Sequence, residues 1–140
     1  MKFQRMVIVI FMAGLCALPP LASAHHSVNS EFDVNKNVAV TGVLTKVDLV
    51  NPHAYMYFDV KDATGKVQQW SFETGAPAAL KRAGISVRDT LIPGQSFKVV
   101  YGPAKDGHRL GLVHSIVTPD GRFFAFGATN NVDAARELSK

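Results

Sequence analysis

The sequence predicts an all-β fold with one short helix, and three observations carry that expectation. Residues 54–60 alternate with period two: Ala54, Met56, Phe58 and Val60 fall on one side, Tyr55, Tyr57 and Asp59 on the other. Residues 67–74 repeat the pattern, with Trp70 and Phe72 on the apolar side. Turn signals punctuate the chain at Asn51-Pro52, Thr64-Gly65, Asp106-Gly107 and Asp120-Gly121, while only residues 77–83 combine good helix formers with a proline near the first turn.

Taken in order, the chain opens with Lys2 and Arg5, an apolar run over residues 6–18, Pro19-Pro20 and Ala22-Ser23-Ala24. The run is too short to span a bilayer and ends in a breaker and a small-x-small site. Residues 1–24 are therefore expected to be a signal peptide, the mature chain to begin at His25, and the protein to be periplasmic or secreted without a membrane anchor after cleavage. Cys16, the one cysteine, lies inside that run, so the mature chain would carry no disulfide. Losing Lys2 and Arg5 lowers the formal charge from +4 to +2. No basic stripe with interleaved aromatics is present, so nucleic acid is not an expected partner.

Residues 25–37 are polar and are expected to form an arm that Phe32 pins to the body. Residues 38–126 hold the domain. A long first strand over 38–50 carries Gly42, where a bulge or bend is expected. After the second and third strands, Pro77 starts the helix, Leu80 faces inward and Gly84 ends it; Ser86 and Asp89 form a capping pair for one more turn. A fourth strand follows over 96–101, stopped by Gly102-Pro103. In the fifth, over 110–118, Leu110, Leu112, His114 and Ile116 are expected on one side; a short sixth strand covers 122–126. Residues 127–140 read as a polar tail with a frayed helix over 132–138. Three strands, a helix and two more strands is the element order of the oligonucleotide/oligosaccharide-binding (OB) barrel, a small five- to six-stranded Greek-key barrel here.

In that order His25-His26-Ser27, Phe32-Asp33, Gly42-Val43, Asn51-Pro52-His53-Ala54, Trp70 with Glu73, Pro93-Gly94 and the two Asp-Gly turns resemble a family of small exported bacterial proteins known only as a domain of unknown function. The resemblance spans the mature chain and implies export and one domain, and it supplies no activity. Gln95 stands where an acidic residue is expected after Pro-Gly.

Ligands of OB-type barrels usually lie on the outer face of the second and third strands. The binding residues expected on that basis are Asn51 and His53 in the first loop with Tyr55, Tyr57, Gln69, Ser71 and Glu73 on the exposed face, for an unknown small molecule, glycan or peptide. Glu73 is read as a rim residue, although with His53 it would make an acid–base pair. No nucleophile elbow, phosphate loop or dinucleotide fingerprint is present, so the expectation is a binding module and not an enzyme. A second expectation concerns copper. An N-terminal His25 offers an amine and an imidazole, and His26 or His53 would add another nitrogen for Cu(II); the opposing reading leaves His25 and His26 solvated on an arm. Cleavage one residue earlier would put His26 third, again a copper-chelating position. His53 also reads as a turn residue, His114 as a satisfied core or rim histidine and His108 as surface. A protein partner stays open, because arm or tail could add to a partner's sheet edge.

Overall fold

The computed structural model describes residues 28–126 and 132–140. Its elements are α1 (Val28–Glu31), β1 (Val38–Leu49), β2 (Ala54–Lys61), β3 (Val67–Glu73), α2 (Pro77–Arg82), β4 (Ser96–Pro103), β5 (Leu110–Val117), β6 (Phe123–Ala125) and α3 (Val132–Leu138). The strands hydrogen-bond in the order β3-β2-β1-β4-β5-β6, and β3 also pairs with β5. That extra pairing closes five strands into a barrel. β3 and β5 run parallel there, Ser71–Glu73 against Leu110–Leu112, while every other pair is antiparallel. The fold is a small all-β barrel with the strand order and helix position of the OB type. Three short helical segments accompany it among the described residues: α2 and α3 lie where the sequence placed a helix and a frayed tail helix, and α1 was not expected.

Closure depends on β1, which pairs through its first half with β4 and through its second with β2. Gly42 belongs to both ladders, opposite Val60 and Phe97. A β-carbon there would lie 2.9 Å from Cγ2 of Val60 and 3.1 Å from the carbonyl oxygen of Asp59. Gly42 thus marks a close approach between strands, and the bulge expected at it falls instead between Leu44 and Lys46. The β2–β3 hairpin turns on Asp62, whose carboxylate accepts from the Thr64 and Lys66 amides and the Thr64 hydroxyl, and on Gly65 at φ +84°. α2 begins with Pro77 and ends before Gly84 at φ +77°, and it buries Leu80. Ser86 Oγ caps the following turn, accepting from the Asp89 amide and donating to its carboxylate. The Asn51–Pro52 peptide bond is cis.

The core is aromatic. Phe72 packs edge-on against Phe58 at 5.6 Å and Tyr101 at 4.9 Å, and stacks with Trp70 at 5.8 Å. Phe58, Phe72 and Phe97 are buried, whereas Trp70 is only partly so. Two expectations about strands need correction. β4 runs on through Gly102 and Pro103, because the arm continues its edge: Phe32 bridges Ala104 and the Asp33 amide donates to the Pro103 carbonyl. In β5, Val113 and Ile116 enter the core, while Leu110 and Leu112 stay half-buried. His114 is the extra residue of a bulge opposite Val100 and Tyr101, so the inward parity switches there. Phe32 does pin the arm, being buried beside the end of β4.

Gly111 faces inward because the Tyr101 ring fills the space where its side chain would stand. A β-carbon would collide with Tyr101 Cδ2 and come within 3.1 Å of Phe72 Cδ1. Gly111→Ala is therefore expected to destabilise the fold by about 1–3 kcal/mol, the usual cost of overpacking a core. A lower urea midpoint with an unchanged slope would be the measured signature.

Candidate functional site

The β2–β3 ladder assembles the site. Its register sets Tyr55 opposite Glu73, Tyr57 opposite Ser71 and Asp59 opposite Gln69, so these residues share the outer face, as period two requires. Pairing continues past the strand ends: the Thr74 amide donates to the Ala54 carbonyl and the Ala54 amide to the Gly75 carbonyl. The Thr74 hydroxyl also donates to the Ala54 carbonyl. This extension holds His53, two residues before Tyr55, on the same face as Glu73.

There three side chains meet. His53 Nδ1 makes a very short contact with Glu73 Oε1, and the Tyr55 hydroxyl donates to Glu73 Oε2 at 3.2 Å. The Glu73 side chain is only 7% exposed against 37% for His53, so Glu73 is a buried carboxylate and not the rim residue expected. Its burial follows from closure of the barrel. β2 flanks it on one side and Leu112 of β5 pairs with it on the other. A buried carboxylate is costly without hydrogen bonds to both oxygens, and His53 and Tyr55 supply one each. Burial, and then the Glu73 charge, push the Tyr55 hydroxyl above the ordinary phenol range.

These residues border a cleft of about 520 Å³. Ala76, Ala79 and Ala83 of the α2 segment, Leu112 and Phe126 line it, and so does Val28 at the start of the arm. The cleft is thus largely apolar with a polar end at His53 and Glu73, a composition suited to binding one small ligand. His114 borders it too. Its Nδ1 lies 2.6 Å from Asn37 Oδ1, its Nε2 is buried without a hydrogen-bond partner beside Gly102, and burial lowers its pKa below the usual imidazole range.

The remaining expected residues lie apart from this cluster. Tyr57 and Ser71 are half-buried farther along the face, and Lys46 Nζ lies 5.5 Å from the Tyr57 ring centroid. Gln69 is exposed toward the hairpin end, and Asn51 is exposed on the loop beyond Pro52. His25 and His26 lie outside the described residues. The sequence reading missed Val28, Leu112 and Phe126 as walls of the site. One signal for the cluster was available: continuing the β2 alternation back by two residues places His53 with Tyr55.

A closed five-stranded barrel with a histidine–carboxylate–tyrosine cluster beside a cleft defines the class structurally. The chain belongs to a family of unknown function, DUF6152, whose model matches residues 14–114. The match includes His53, Tyr55 and Glu73 and stops before β6 and α3. A search of curated proteins returns no match.

His114 makes stability depend on pH. With its pKa lowered in the fold, the neutral ring is the folded form; that stability is complete above the unfolded value of about 6.5 and is lost as pH falls from there toward the folded pKa. Urea unfolding at pH 7.5 and pH 5 is expected to show a drop in stability for the wild type that is smaller in His114→Gln.

Proposed function

We propose that the protein is an exported, non-enzymatic binding module that holds a small ligand in the cleft at His53 and Glu73, and not along the whole outer face of β2 and β3. The observation that carries this is the buried Glu73 carboxylate, held by His53 and Tyr55 at one side of a largely apolar cleft. Polar groups shielded from water in this way fix a ligand's orientation more strongly than the same groups on an open sheet. A neutral apolar dye that carries one carbonyl, Nile red, is a suitable probe. Its fluorescence is expected to rise saturably with the native protein, to fail to do so with Ala79→Trp, which fills the cleft, and to be unaffected by Gln69→Ala on the open face. Loss of the signal in Gln69→Ala, or its survival in Ala79→Trp, would return the site to the sheet face.

A second ligand, Cu(II), is favoured by the place of Val28. Val28 lines the same cleft as His53, and three residues of chain reach at most about 10 Å. A processed terminus at His25 would thus bring its amine and ring within range of the cleft. Among the described residues no group of three or more His, Asp or Glu can hold a metal, so His53 needs donors from the terminus. Mass measurement of the exported protein should give a chain starting at His25. That chain should bind Cu(II) at least tenfold more tightly than one extended by Gly-Ser, as read by titration and electron paramagnetic resonance. Equal affinities would remove copper from consideration.

A further inference from the structure

We propose that the ligand of the cleft is a primary alkylamine, whose one ammonium group meets Glu73 while its hydrocarbon body lies against the apolar wall. The inference rests on the cleft reading above and names the chemistry of what the cleft takes. Among the residues that line the cleft, Glu73 alone carries a fixed charge, and no lysine or arginine is present. An anion there would stand beside a carboxylate whose side chain is only 7% exposed, where like charges repel far more strongly than in water. A cation gains from the same field. Val28, Ala79, Leu112 and Phe126 supply the wall for an apolar body, and about 520 Å³ is within the range of sites for small organic molecules.

Glu73 also has acceptor capacity to spare. An ionised carboxylate offers about four acceptor positions, and the described contacts use two, one with His53 and one with Tyr55. The neighbouring groups leave its charge standing. Burial, and then the Glu73 charge, hold the Tyr55 hydroxyl above the phenol range, and burial holds His114 of β5 below the imidazole range, so both are neutral in weakly alkaline buffer. Glu31, exposed at the end of α1, is close enough for its charge to act on Tyr55 as well, which adds negative potential from the arm. Lys105 donates to the Asn29 carbonyl at 2.7 Å and does not line the cleft. The remaining group, His53, competes with a ligand for Glu73 only as a cation. The test is therefore run at pH 8.5, above the ordinary imidazole value of about 6.5 and below that of an alkylammonium, about 10.4.

Calorimetric titration with three probes of one chain length, n-octylamine, 1-octanol and octanoate, separates charge from apolar contact. Octylamine is expected to bind the wild type about 10-fold more tightly than octanol, the usual worth of a hydrogen bond to a charged group, and octanoate most weakly. That order runs against the chain's formal charge of +4, so general attraction to the surface would give the reverse. Glu73→Gln should bind octylamine and octanol equally. Asp59→Asn, which removes a negative charge from the outer face of β2 outside the cleft, should keep the wild-type preference. Equal affinities in the wild type, or tighter octanoate, would overturn the proposal whether or not any variant folds. So would a preference that survives in Glu73→Gln or is lost in Asp59→Asn, or octylamine binding that persists in Ala79→Trp. Binding of none of the three while Nile red still binds would overturn the amine alone; failure of Nile red as well would overturn the cleft reading and this proposal with it.

Discussion

One glycine sets how closely the two halves of the barrel approach. Gly42 stands in the ladders to β2 and β4 together, opposite Val60 and Phe97, and a β-carbon would fall within 3.3 Å of atoms of Phe58, Asp59 and Val60. Real side chains do not tolerate such contacts without moving a neighbour, and here one neighbour is backbone. With Gly42 shared by the two ladders, one strand of twelve residues pairs with both β2 and β4 in a five-stranded barrel. The bulge between Leu44 and Lys46 then resets the register, and the ladder ends at Leu49 opposite Ala54. His53 stands directly before that last pair, where the Ala54 bonds to Thr74 and Gly75 hold it.

Closure from the other side gives Glu73 its character. Only three residue pairs join β3 to β5, yet they turn an edge strand into an interior one. A glutamate that would have faced water in an open sheet becomes 5% exposed. Desolvation of a carboxylate has to be offset by donors, and the two available are aligned by the strand itself: Tyr55 directly across the ladder and His53 two residues before it. The cluster thus follows from topology together with period two, continued by one residue into the loop before β2.

That division explains what could be read from the sequence. The alternation of Ala54, Met56, Phe58 and Val60 against Tyr55, Tyr57 and Asp59 fixes which face of β2 is buried, and the Pro77, Leu80 and Gly84 spacing delimits α2, because each depends only on neighbours in the chain. The inward parity of β5 was not legible. It reverses at His114, a bulge set by pairing with Val100 and Tyr101 on another strand. Glu73 was misread as a rim residue for the same reason: its burial comes from Leu112, almost forty positions later in the chain. The turn at Val28–Glu31 was missed since the polar arm shows no periodicity; only Phe32 signalled that it docks.

The arm matters to the site because it is anchored on both flanks of Phe32. The Lys105 amide donates to the Glu31 carbonyl and the Asp33 amide to the Pro103 carbonyl, each at 2.9 Å, and the Lys105 ammonium donates to the Asn29 carbonyl at 2.7 Å. Backbone bonds of this kind hold α1 against the end of β4, and α1 in turn brings Val28 to the wall of the cleft. Val28 is therefore a fixed part of the wall of the cleft that His53 also borders. Phe32 thereby fixes where the arm meets the wall of the cleft.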